Sequence, residues 1–166
     1  GNSASFAIFA EKVIVEINTN LSPAFEGLHD IYIPSYRPTR QAIPLTQVDE
    51  RIGTHAINID PSKIVGIVIN NEYHDSPSTV TEPDDETQGI ANHLINFFEQ
   101  EVAAGRLPKD LGPLQAGIGS IANAVLTGLK DSNFEDLVMY SEVLQDCTFE
   151  LIDAGKMKFA SGSSIT

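Results

Sequence analysis

Tryptophan is absent, methionine occurs twice, cysteine once, and 10 lysines and arginines face 23 acids. Each scarcity closes off a class of protein. A lone cysteine, Cys147, cannot build an internal disulfide framework, which fits a reducing compartment: the cytoplasm, or the mitochondrion in a eukaryote. A formal net charge of −13 has the wrong sign for nucleic acid or an anionic membrane, both of which attract clustered Lys and Arg. No run approaches the ~18 apolar residues of a membrane-spanning helix, and no signal peptide is visible. His29, His55, His74 and His93 are scattered without metal-ligand spacing, so no metal site is expected.

What remains is ordinary globular material, 42% hydrophobic and 20% charged over 166 residues, enough for one domain or two small pieces. The chain opens on Gly1 and its first methionine is Met139, so an internal segment of a longer protein is expected. Val13 to Ile17 has strand composition. Asn18 to Glu50 carries Pro23, Pro34, Pro38 and Pro44, a density that excludes a helix or a central strand. Arg37 and Arg40 in this loop are either phosphate contacts or solvated charges. Ile52 to Ile59 alternates as a strand does. Lys63 to Asn70 is a near-continuous apolar run, as in a strand buried on both faces. The polar, acidic stretch from Asn71 to Gln88 reads as a linker.

Glu86 to Gly105 is the clearest helix, with Ile90, Leu94, Phe97, Phe98 and Val102 at helical spacing, acids at its start and Gly105 as its stop. Strand, helix, strand, helix and strand follow: Leu114 to Ala116, Ser120 to Leu129, Asp136 to Tyr140, Thr148 to Ala154, and Met157 to Ser161. Such alternation predicts an α/β fold, a parallel or mixed sheet with flanking helices. The expected organisation is parts of two tandem α/β domains, residues 1–75 and 86–166, joined by a linker at 76–85.

The chemistry gathers between Leu114 and Asp146. Gly117-Ile118-Gly119 leads into a helix start, where an anionic ligand can sit, and Glu142 ends the next strand, on the edge where open α/β sheets bind ligands. Gly117 to Ala122 also satisfies the G-x-G-x-x-A dinucleotide fingerprint, with Glu142 twenty-five residues after Gly117 in the place of a ribose-binding acid. A Rossmann-like module using Gly117, Gly119 and Glu142 is therefore one reading, and a non-enzymatic acidic interaction domain is another. Cys147, near a helix start, is either a thiol of lowered pKa or a small packed residue.

The longer stretches LQAGIGSIANAVL and YSEVLQD, together with AEKVIVEIN, EGLHDI, ERIGTHAI and FFEQEVAAGRLP in order along the chain, resemble the acetyl-CoA hydrolase/transferase family, also called acetate or succinyl-CoA:acetate CoA-transferases. The resemblance implies a CoA-transferase-like fold and a catalytic glutamate at Glu142, with Gly117, Ile118, Gly119 and Asn123 against coenzyme A. It implies acyl-CoA and a small carboxylate such as acetate as substrates, no permanently bound cofactor, a glutamyl-CoA thioester intermediate, and a homodimer when complete. It further implies an oxyanion-binding glycine segment beyond Thr166, so these 166 residues alone are expected to lack transferase activity. The family commonly has Pro where this chain has Ala122 and Gly where it has Cys147. Succinate-using relatives have Arg after the acid that matches Asp75, where Ser76 stands here.

Overall fold

The computed structural model describes residues 2–36, 38–72 and 83–165. The chain divides into two compact units, Gly1–Thr46 with Glu50–Ser76, and Gln47–Asp49 with Pro77–Thr166. Arg37, His74, Asp75 and Ser76 lie outside the described residues.

The first unit opens with a helix, α1 (Asn2–Phe9), built from small and apolar residues. Its end is tied down rather than capped: Lys63 Nζ donates to the Ile8 carbonyl at 2.6 Å, and the Phe9 ring meets Tyr36 edge-on at 4.6 Å. Strand β1 (Val13–Asn18) pairs in parallel with β2 (Ile64–Asn70), Val15 opposite Ile67 and Ile17 opposite Ile69. A parallel pair needs a long crossover, usually a helix. Here the prolines forbid one, and the described crossover contains only 3-10 turns at Pro23–Phe25 and Pro61–Lys63.

Two expectations fail in this unit. Ile52 to Ile59 forms no strand; its only ladder contact is an isolated antiparallel bridge between Ile31 and Thr54. Two of its backbone donors go to a side chain instead: the Asp30 carboxylate accepts from Gly53 N at 2.6 Å and Ile52 N at 3.3 Å. The expectation that Lys63 to Asn70 is buried on both faces also fails. Alternate residues point to opposite faces, yet Ile67 and Val68 are 61% and 51% exposed, so neither face of β2 is covered by the described residues.

The second unit follows the predicted alternation. Helix α2 (Asp85–Ala103) starts on Asp84, whose carboxylate accepts from Thr87 N at 2.8 Å. It satisfies one of the orphan donors at a helix start. Arg106 closes the other end with a two-pronged pair to Glu101. The apolar stripe is rotated from the expected one: Ile95, Phe98 and Val102 pack on the core, whereas Ile90 and Phe97 are exposed. Strands β3 (Pro113–Leu114), β4 (Leu137–Tyr140) and β6 (Met157–Ser161) form a parallel sheet in the order β3-β4-β6. A second parallel pair joins β5 (Val143–Leu144) to β7 (Ser164–Ile165). Helices α3 (Ser120–Asp131) and α4 (Asp146–Asp153) connect the strands. Leu126, Leu129, Phe134, Leu137, Met139, Leu151 and Met157 make the core.

Candidate active site

Three chain segments meet at the carboxyl end of this parallel sheet. The first leaves β3 as Gln115 to Gly119 and enters α3. The second leaves β4 at Tyr140, passes through Ser141 and Glu142, and continues as β5. The third leaves β6 and turns at Gly162 into β7. Parallel strands bring their outgoing loops to one edge by construction, which is why ligands of α/β sheets collect there.

Glu142 sits between β4 and β5 with its side chain exposed. Its carboxylate makes no hydrogen bond or ion pair among the described residues, but its backbone is held firmly. Ser163 N and Oγ donate to the Glu142 carbonyl at 2.8 and 2.9 Å, and Ser164 N donates at 3.1 Å. The Gly-Ser turn is thus a clamp on the glutamate's main chain. The approach is tight, since a Cβ on Gly162 would stand 2.7 Å from Leu144 Cγ.

The glycine turn is held from the same segment. Ser141 Oγ donates to the Ala116 carbonyl at 2.9 Å, and Gln145 Nε2 donates to the Gly117 carbonyl at 2.9 Å. Both side chains are buried. Gly117, Ile118 and Gly119 are exposed, Ile118 by 74%. Gly119 is the N-cap of α3 at φ 128°, ψ 170°, with no side-chain cap. That backbone region is essentially confined to glycine, and the uncapped start leaves helix N–H groups free for an anion. Asn123 is placed differently: its side chain is buried, and its Oδ1 accepts from the Cys147 thiol at 3.3 Å. Burial pushes that thiol up from its ordinary value, so Cys147 is a packed residue and not a thiolate. Of the buried polar residues Asn123, Ser141, Gln145 and Thr148, Ser141 and Gln145 hold this turn.

Sequence reasoning missed Ser141 and Gln145. The available signal was polar residues beside apolar ones, which must find partners if they are buried. Arg40 is exposed, and His29 contributes its carbonyl, to Arg51, rather than a described ring contact. The His55 ring does make a contact, its Nδ1 lying 3.0 Å from the Gly27 carbonyl. An open depression of about 530 Å³ lies elsewhere, lined by Lys109, Asp110, Asn133, Glu135, Asp136 and Lys158. It adjoins the amino end of β4, away from Glu142. Among the described residues no cluster of His, Cys, Asp and Glu could hold a metal ion, and no helix is long and apolar enough to cross a membrane.

Residues 1–69 match the model of the acetyl-CoA hydrolase/transferase N-terminal domain. Acetyl-CoA hydrolases of Eremothecium gossypii and Neurospora crassa are similar at 47% and 50% identity, over 99% and 94% of this chain. That of Saccharomyces cerevisiae is 43% identical over 99%. Over nearly its whole length the chain is similar to members of the acetyl-CoA hydrolase/transferase family. It spans about a third of these relatives' length, 31% of the Eremothecium protein and 29% of the Neurospora protein. The crystal structure of RipA from Yersinia pestis has a similar fold, with a TM-score of 0.57 at 23% identity over 96% of this chain and 31% of RipA. This similarity does not favour the dinucleotide-binding reading.

The geometry gives an immediate expectation for Gly119→Ala. No atom lies within 4 Å of where the Cβ would go, so the penalty is one of backbone conformation, about 1–3 kcal/mol. The first turn of α3 should show faster amide exchange and the protein a lower melting temperature. Gly117→Ala, at a glycine without positive φ and with equally open space, should leave the melting temperature unchanged. Equal effects of the two substitutions would contradict the conformational argument.

Proposed function

We propose that the full-length protein handles acetyl-CoA or another short acyl-CoA, with Glu142 as the nucleophile. The observation that carries this reading is a free, exposed carboxylate clamped through its main chain at the carboxyl edge of a parallel sheet, beside a glycine turn and an uncapped helix start. Similarity to this family supplies the substrate class. A carboxylate nucleophile needs no general base to attack.

In this reading a Glu142 carboxylate oxygen attacks the thioester carbonyl carbon. The C–S bond breaks, CoA leaves as thiolate, and a mixed anhydride links acyl group and glutamate. The thiolate then attacks the glutamyl carbonyl, the bond to the bridging oxygen breaks, and the free carboxylate departs from a glutamyl-CoA thioester. A second carboxylate, such as acetate, takes CoA by the reverse steps and restores Glu142. Water attacking an acyl intermediate instead gives net hydrolysis, so water exclusion sets the balance of the two outcomes. Gly117, Ile118 and Gly119 lie along the CoA arm, their exposed backbone permitting close approach. The buried Asn123 acts one step back, fixing α3 to α4 through Cys147.

The test is to incubate full-length protein with acetyl-CoA and no acceptor, digest it, and map CoA or acyl adducts by mass spectrometry. The expected mass shift falls on the peptide spanning Tyr140 to Asp146, at Glu142. An adduct mapped reproducibly to Cys147, or none anywhere despite turnover, would remove Glu142 from the mechanism.

A further inference from the structure

Ser141 and Gln145 flank Glu142 in sequence, yet neither holds Glu142. They reach across to the other wall of the site. We infer that the two are positioning residues for the reaction, fixing the glycine turn at a set distance and angle from the nucleophile; this rests on Glu142 being that nucleophile. Their acceptors, the Ala116 and Gly117 carbonyls, are consecutive, so two successive peptide planes are held at once. A peptide unit is planar and trans. Its N–H points opposite to its carbonyl, so anchoring the two carbonyls also turns the Gly117 and Ile118 N–H groups away from the 141–145 segment. One residue later the chain passes through the glycine-only conformation of Gly119, and the donors of α3 begin. A turn of two glycines is otherwise soft. The hydroxyl and the amide supply the stiffness that its own sequence lacks.

The same segment is fixed from the other side. The Glu142 carbonyl is gripped by Ser163 and Ser164, so nucleophile and turn are referred to one rigid frame. Burial makes these contacts matter. Ser141 and Gln145 are 9% and 5% exposed, so water is poorly placed to replace a lost donor, and each carbonyl would be left unpaired. The loss would be expressed as movement of the turn relative to Glu142, where a displacement of about 1 Å can cost ~10²-fold in rate.

The experiment follows the first turnover of full-length protein with acetyl-CoA by rapid quench, recording both the amplitude and the rate constant of adduct formation on Glu142. Gln145→Glu preserves size but replaces the donor with an acceptor facing the Gly117 carbonyl. It should load Glu142 with a rate constant lower by about 10²-fold in every molecule that folds. Ser141→Ala should lower the rate constant about tenfold, and Ser141→Thr, which keeps the hydroxyl, should restore it to within about twofold. A merely structural role would reduce the amplitude, because fewer molecules fold, and leave the rate constant and KM of the folded ones unchanged. Rate constants within twofold of the parent protein for both Gln145→Glu and Ser141→Ala would overturn the inference while leaving the nucleophile in place. Failure of the parent protein to load Glu142 at all would remove the nucleophile and, with it, this inference.

Discussion

The Glu142→Gln variant of the full-length protein is expected to lose acyl-CoA:carboxylate exchange by about 10³-fold or more, and with it any covalent CoA on the Tyr140 to Asp146 peptide. The substitution is nearly isosteric and removes the charge that makes the side chain a nucleophile. It should not disturb folding, because the carboxylate has no hydrogen-bond or ion-pair partner among the described residues and the Ser163 and Ser164 clamp grips the backbone carbonyl, which any residue supplies. Activity loss and fold are therefore separable at this position. Glu142→Asp keeps the charge but shortens the reach by one methylene, and should retain adduct formation at a rate reduced by about 10²-fold. Steady-state exchange of labelled acetate into acetyl-CoA measures both variants. Exchange near the parent rate in Glu142→Gln, with an unchanged melting temperature, would show that the carboxylate is a bystander.

How far the sequence could be read depended on whether a segment's partners were local. Helix α2 was legible from spacing, its acidic start and Gly105, which adopts the expected positive φ of 70°. Strand β6 was legible end to end. Strand β3 was expected on Leu114 to Ala116 but lies at Pro113–Leu114, one residue earlier at its start and two at its end; proline is tolerated at a strand's first position. Helix α1 has no polar face to make a period, and its anchoring by Lys63 and Tyr36 comes from residues far along the chain. At the site, the glycine turn and Glu142 carried local patterns and were legible. The clamp from Ser163 and Ser164 was not, because a main-chain hydrogen bond across 21 residues leaves no mark on composition. The exposed faces of β2 show the same limit from the other direction. An apolar run reports what a strand is suited to bury, and does not report what covers it.

Gly53→Ala is expected to be the most destabilising single methyl group in the first unit. EGLHDI and ERIGTHAI, far apart in sequence, meet in the structure as one hydrogen-bonded pair of loops. Ile31 and Thr54 exchange backbone bonds of 2.8 and 3.0 Å. Asp30 accepts from the Ile52 and Gly53 nitrogens, and Arg51 Nη1 donates to the Leu28 and His29 carbonyls at 3.3 and 3.2 Å. His55 faces the Gly27 carbonyl. Gly53 is where the two backbones touch. A Cβ there would stand 2.7 Å from Tyr32 N and overlap the Ile31 carbonyl group. The obstruction is main chain, so no rotamer relieves it. The loops must part, which strains or breaks the Ile31–Thr54 bridge and the Gly53 N to Asp30 bond together. Overpacking and a lost charge-assisted hydrogen bond sum to about 3–5 kcal/mol. Asp30→Asn is the milder comparison, because an amide oxygen can still accept from one of the two nitrogens; about 1–2 kcal/mol is expected. Urea unfolding of the full-length protein gives the size of each effect. Amide exchange at Ile31 and Thr54 gives its location, and protection there should collapse in Gly53→Ala but only weaken in Asp30→Asn. An unchanged unfolding midpoint together with undiminished protection at both amides would mean that the two loops do not pack as described.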